Sequence, residues 1–133
     1  DEIYNNPSNI FVAQFIGTPK MNILEISEEN IISENILKLF GLEIKFNNIK
    51  FKKTKHYIGI RPEHLKFNQI SDFTFNPEIE LIENLGNEKI IYFKKDKDQL
   101  NAKIPSNTEI SNKIGFNLQD LLIFDKNKIR IKL

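Results

Sequence analysis

Three separated stretches of this chain alternate apolar and polar residues with a period of two. Leu42, Ile44 and Phe46 alternate with Glu43 and Lys45; Leu100, Ala102 and Ile104 with Asn101 and Lys103; Ile129, Ile131 and Leu133 with Arg130 and Lys132. Successive side chains of an extended strand point to opposite faces, so this period predicts strands that bury one face and wet the other. A fourth stretch, Ile90, Ile91, Tyr92 and Phe93, is apolar on both faces and predicts a strand covered on both sides. Residues 125–128 read as a hairpin turn, and Gly86 with Asn87 as a turn or bulge between strands at 79–83 and 89–93. Roughly seven or eight short strands at this spacing predict a mainly β fold, a closed or partly closed antiparallel barrel.

Such a fold needs bulk inside, and the 133 residues include eleven Phe and no Trp, so Phe is expected to carry the packing. The length fits one domain, or one domain with a fragment of another. Lys and Arg number 19 against 18 Asp and Glu, so no large net field draws the chain to nucleic acid or anionic lipid. The absence of cysteine excludes a disulfide framework, a thiolate metal site and a cysteine nucleophile. The apolar run at 121–124 is far below the ~20 residues that cross a bilayer as a helix. The opening Asp1-Glu2-Ile3-Tyr4, without Met, leads us to expect no signal peptide and a piece of a longer protein.

Ahead of the strands lies one helical pattern. Asn6 before Pro7 is a good helix start, Phe11 with Phe15 and Val12 with Ile16 repeat at i,i+4, and Gly17 supplies a stop. A helix this short is marginal alone in water and has to lean on something. Thr18-Pro19-Lys20 is the one clear linker.

The chemistry-bearing motifs are sparse. The five glycines are scattered singly, and Gly17-Thr18-Pro19-Lys20 lacks the rest of a Walker phosphate loop. His56 and His64 would stand about 26 Å apart on an extended chain at ~3.3 Å per residue, so no metal site is expected. Glu28 and Glu29 read as solvated loop charges, and no nucleophile-base arrangement is present, so no catalytic residue is expected. Lys45, Phe46, Lys50, Phe51, Lys52, Lys53 and Lys55 interleave basic and aromatic residues as a single-strand binder would. The alternative is inward Phe and outward Lys guarding an edge, which the near-neutral charge favours.

Arg61 stands out because Arg130 is the only other arginine in a lysine-rich chain. A planar, always-charged fork at position 61 implies a geometric need. Pro62 holds Arg61 out of helical geometry and removes one ladder amide, so the strand turns away there. On an extended chain Arg61 and Glu63 share a side, ready to pair with each other or to anchor a neighbouring loop.

Four segments, EIYNNPSNIFVAQFIGTPKMN (2–22), GIRPEHL (59–65), ENLGNEKIIY (83–92) and LLIFDKNKIRI (121–131), resemble in order and spacing the C-terminal part of ATP-binding subunits of carbohydrate ABC importers of the maltose/glycerol-phosphate type. The resemblance covers nearly the whole chain. It implies that residues 1–17 are the tail helix of a nucleotide-binding domain and that 18–133 form an OB-type, transport-associated (TOBE) regulatory domain. Tyr4, Phe11 and Phe15 would then pack on the nucleotide-binding domain. Arg61, Pro62, Glu63 and His64, with Leu85, Gly86, Asn87 and Glu88, would form regulatory corners or interface.

The implied function is a non-catalytic regulatory and dimerisation domain, binding no cofactor itself, while ATP and Mg belong to the full-length subunit. The implied partners are the nucleotide-binding domain, a second copy, membrane-spanning permease subunits and a regulatory protein, at the inner face of the cell membrane, with no nucleic acid. A free-standing OB-fold binder of single-stranded nucleic acid or an oxyanion is the alternative.

Overall fold

The computed structural model describes residues 7–15 and 19–132, with the side chains of residues 12, 14 and 15 excepted. Among the described residues the chain is mainly β, as the period of two requires. Among the described residues the strands are β1 (Asn22–Ile26), β2 (Ile31–Ser33), β3 (Ile36–Leu39), β4 (Leu42–Lys45), β5 (His56–Ile60), β6 (Phe73–Phe75), β7 (Glu78–Asn84), β8 (Glu88–Lys95), β9 (Asp98–Pro105), β10 (Ile114–Phe116), β11 (Leu122–Phe124) and β12 (Arg130–Ile131). Twelve short strands replace the seven or eight expected, because turns divide segments that the pattern alone reads as one.

All the pairings are antiparallel and form four sheets, in the orders β1-β5-β11-β12, β10-β6, β2-β3-β4 and β7-β8-β9. These sheets are not closed, so the expectation of a closed or partly closed barrel is met only in its antiparallel, mainly β character. They share one core instead. Leu24, Leu37, Ile44, Ile58, Phe67, Phe93, Ala102, Phe116 and Ile123, from many elements, belong to a single buried cluster. Phe does carry the packing, with Phe46, Phe67, Phe93, Phe116 and Phe124 among the largest fully buried side chains.

The alternation at 100–104 buries Leu100, Ala102 and Ile104 as predicted, and Ile90 and Ile91 are both buried on β8. The alternation expected over 129–133 is not realised among its described residues, 129–132, and Leu133 lies outside them. The strand shrinks to Arg130–Ile131 and Ile129 is 51% exposed, because it sits at the end of a tight turn rather than inside the sheet. That turn is built by Asp125, whose Oδ1 accepts from the amides of Asn127 and Ile129 while Lys128 takes a positive φ.

The leading helix, α1 (Ile10–Phe15), starts later than Asn6 and Pro7 suggested. Ser8 and Asn9, just before it, pair with the end of the chain. Asn9 bridges Ile129, Arg130 N–H donates to the Ser8 carbonyl at 2.8 Å, and Ile10 N–H to the Lys128 carbonyl at 3.1 Å. With Ser8 and Asn9 held in that pairing the helix begins at Ile10, so Asn9 takes the cap position and its carbonyl accepts from Ala13 N–H. Ile10 and Ala13 bury themselves against Met21, Leu122 and Phe124 in a second small cluster.

Candidate functional site

The segment after β5 is the corner built around Arg61. Arg61 itself is extended, φ −66° and ψ 141°, as a residue before proline should be. Pro62, Glu63 and His64 then make a single 3-10 turn, closed by His64 N–H to the Arg61 carbonyl at 2.9 Å and Leu65 N–H to the Pro62 carbonyl at 3.3 Å. Gly59, two residues earlier, passes so close to the next layer that an added Cβ would lie 2.7 Å from Met21 Sδ and 3.2 Å from Phe124 Cε2. The glycine of GIRPEHL is therefore required for close approach, not for a turn.

Arg61 is only 6% exposed. Burial lowers its pKa, and the charge of Asp120, in the 3-10 turn Leu118–Asp120, pulls it back up. The same Asp120 carboxylate lies 3.7 Å from His64 Nδ1. Arg130 is depressed as well, first by burial and then by the like charge of Arg61, and its Nη1 donates to the Pro7 carbonyl at 3.3 Å. The corner thus gathers Arg61, His64, Asp120 and Arg130, from three segments, around the point where the leading segment meets the last strand.

Glu63 does not pair with Arg61 and makes no ion pair among the described residues. The 3-10 turn rotates it away from the side it would share on an extended chain. Asp120, in the neighbouring loop, is the carboxylate whose charge acts on Arg61. Sequence reasoning missed Asp120 because no local spacing links it to Arg61.

Leu85, Gly86, Asn87 and Glu88 form the hairpin corner between β7 and β8, with Gly86 at φ 87° and Leu85 N–H donating to the Glu88 carbonyl at 2.8 Å. All four are exposed. The strand leading into the corner is exposed along its whole length and carries Ile79, Leu81 and Ile82 to the surface. Phe11 is 75% exposed, whereas Tyr4 lies outside the described residues, as does the side chain of Phe15.

His56 and His64 share no metal site: among the described residues no group of three or more His, Cys, Asp or Glu could hold an ion. Phe46 and Phe51 are 2% and 6% exposed and meet edge to face at 5.3 Å. They offer no stacking surface to a base, which removes the structural footing of the nucleic-acid alternative in that run. No described helix is long and apolar enough to cross a membrane.

Fold and site together define a small mainly β module whose conspicuous polar residues brace its own layers. No protein-family model matches the chain. It is 32% identical, over 99% of its length and 35% of the relative's, to the sn-glycerol-3-phosphate import ATP-binding protein UgpC of Psychromonas ingrahamii. It is 29% identical over 95% of its length to the alpha-glucoside transport ATP-binding protein AglK of Rhizobium meliloti, covering 38% of that protein. The maltose/maltodextrin import ATP-binding protein MalK of Vibrio parahaemolyticus is 34% identical over 68% of the chain and 26% of its own length. The chain belongs to this family of sugar ABC importer ATP-binding subunits and is their C-terminal part. It spans little more than a third of the length of the first two relatives.

Proposed function

We propose that this chain is the non-catalytic regulatory and dimerisation module of the ATP-binding subunit of an importer for sugars or sugar-like solutes. The observation that carries this reading is the match of nearly the whole chain to about one third of UgpC, a protein named for glycerol-3-phosphate import. On this reading residues 18–133 are an OB-type regulatory domain and 1–17 are the tail of a nucleotide-binding domain. ATP and Mg are bound by the full-length subunit, not by this portion. The subunit works as a homodimer on the inner face of the cell membrane, against permease subunits.

The strand β7 and the corner at Leu85 are the surface we assign to subunit packing. An edge strand presents unpaired backbone groups, and here it adds exposed Ile79, Leu81, Ile82 and Leu85. Ile90, Ile91 and Phe93 are core and cannot serve. Arg61 and Pro62 are buried, so on this reading they brace the corner while Glu63 and His64 face a partner. A contact that persists while the nucleotide-binding domains separate would keep re-closure intramolecular, at an effective concentration of order mM.

Sedimentation of the purified chain tests the reading. A concentration-dependent dimer is expected, abolished by Leu81→Lys with Leu85→Lys at unchanged circular dichroism, together with no ATP hydrolysis. A strictly monomeric chain at high concentration, or hydrolysis by the chain alone, contradicts it.

A further inference from the structure

Between the loop that follows β4 and the β11–β12 turn lies a cavity of about 230 Å³ that the braced corner does not use. Its walls include Lys50, Lys52, Thr54, His56, Asp125 and Lys126. The lysine run singled out in the sequence divides here. Lys53 donates to the Ile31 carbonyl at 2.9 Å and Lys55 pairs with Glu25 at 3.3 Å, so these two are structural. Lys50, Lys52 and Lys126 make no ion pair among the described residues and converge on the cavity instead.

The wall holds one carboxylate, Asp125, whose Oδ1 accepts from the amides of Asn127 and Ile129, so three ammonium groups face a single negative charge. A second, independent feature is His56. It is 3% exposed, its Nδ1 donates to the Thr54 carbonyl at 2.8 Å, and Phe51 fixes the ring edge to face at 5.3 Å. Its tautomer is therefore set, and Nε2 has no hydrogen-bond partner among the described residues although the ring forms part of the wall. The hydroxyl of Thr54 and three ammonium groups supply donors to the concavity, and the oriented imidazole of His56 lies in its wall as a fixed reporter.

We propose that this cavity binds a small solute carrying a phosphate monoester dianion. The wall carries three ammonium charges against one carboxylate, which a dianion complements, and ammonium groups act as point-charge partners of phosphate. The volume lies below the ~300 Å³ at which pockets for drug-sized ligands begin, which fits a head group with a short carbon stem. Ile131 in the wall offers that stem an apolar contact. The assignment stands on the cavity alone and does not depend on the role of the module in transport.

The test is a titration of the full chain with methyl phosphate and inorganic phosphate, followed by NMR of the histidine rings at fixed ionic strength. His64, in the braced corner, is the internal control. A saturable shift of the His56 ring signals with His64 unmoved is expected, and Lys52→Gln with Lys126→Gln should weaken it about tenfold or more. Both substitutions fall on the surface, so near-ultraviolet circular dichroism should stay unchanged. Equal or unsaturable movement of both rings overturns the proposal, as does an unaltered affinity in the double variant. Stronger binding to a single-stranded oligonucleotide or to phosphatidylglycerol vesicles than to methyl phosphate overturns the small-solute assignment.

Discussion

The side-chain amide of Asn22 is bonded through both its oxygen and its nitrogen to the backbone of Asn101, 79 positions along the chain. Its Oδ1 accepts from Asn101 N–H and its Nδ2 donates to the Asn101 carbonyl, each at 2.9 Å, and Nδ2 donates again to the Ile60 carbonyl at 3.0 Å. One buried amide thus fastens the β1-β5 sheet to the β7-β8-β9 sheet where no ladder joins them. Replacement by Ala or Leu strands backbone groups of Asn101, so Asn22→Leu should cost about 2–4 kcal/mol in denaturant unfolding. Asn22→Asp should cost at least as much, since a carboxylate cannot donate to the two carbonyls.

Gly59 is held by space. An alanine there must displace Met21 and press on the buried ring of Phe124, so Gly59→Ala should destabilise the chain by about 1–3 kcal/mol. Met21→Ala in the same background should recover part of the loss, because it removes the nearer obstacle. Thermal melts of the single and double variants give the comparison.

Arg61 and Asp120 should behave as a coupled pair. Asp120→Asn removes the charge that offsets burial of the guanidinium, and Arg61→Lys replaces a fork by a point charge. Each should cost about 1–3 kcal/mol, and the double variant should cost less than the two added together. Additive losses in a double-mutant cycle would show that the two act separately.

Asp98 gives a pH dependence of known sign. Burial, the larger influence, raises its pKa, with Lys97 opposing and Asp96 adding. The folded chain therefore binds the proton more tightly than the unfolded chain. Stability falls as pH rises from the ordinary carboxylate value of 3.8 through the raised one, and the loss is complete once pH stands well above it. Asp98→Asn should raise the melting temperature modestly at pH 7 and have little effect near pH 3, read by melts across that range.

Phe11 and Ala13 separate the two faces of α1. Phe11→Ser should be far better tolerated in thermal melts than a change at Ala13, because the ring is 75% exposed. Ala13→Asp should be strongly destabilising, since it buries a charge against Leu122 and Phe124.

Much of this architecture was legible in the chain because strand burial leaves a local signature. Leu100, Ala102 and Ile104 alternate in sequence and are buried in the fold. The turn at Asp125 and the corner at Gly86 were legible for the same reason: their chemistry is confined to a few consecutive residues. What depended on distant partners was not. Nothing near Arg61 announces Asp120, nothing near Asn22 announces Asn101, and the described helix starts only at Ile10 because Lys128, Ile129 and Arg130 pair with Ser8, Asn9 and Ile10. The lysine run left two readings, of which the near-neutral charge favoured inward Phe. Only the packing of Phe46 and Phe51 reveals that the aromatic residues face inward.

Where residues 7–10 lie along the end of β12, the leading segment is sewn to the sheet that also holds β1, β5 and β11. Bonds of an antiparallel pair run across the strands, so a pull along the chain ahead of Pro7 loads them together in shear instead of peeling them singly. Displacement arriving from that direction is delivered to the β-sheet as a whole, which makes the first few described residues a lever and not a hinge.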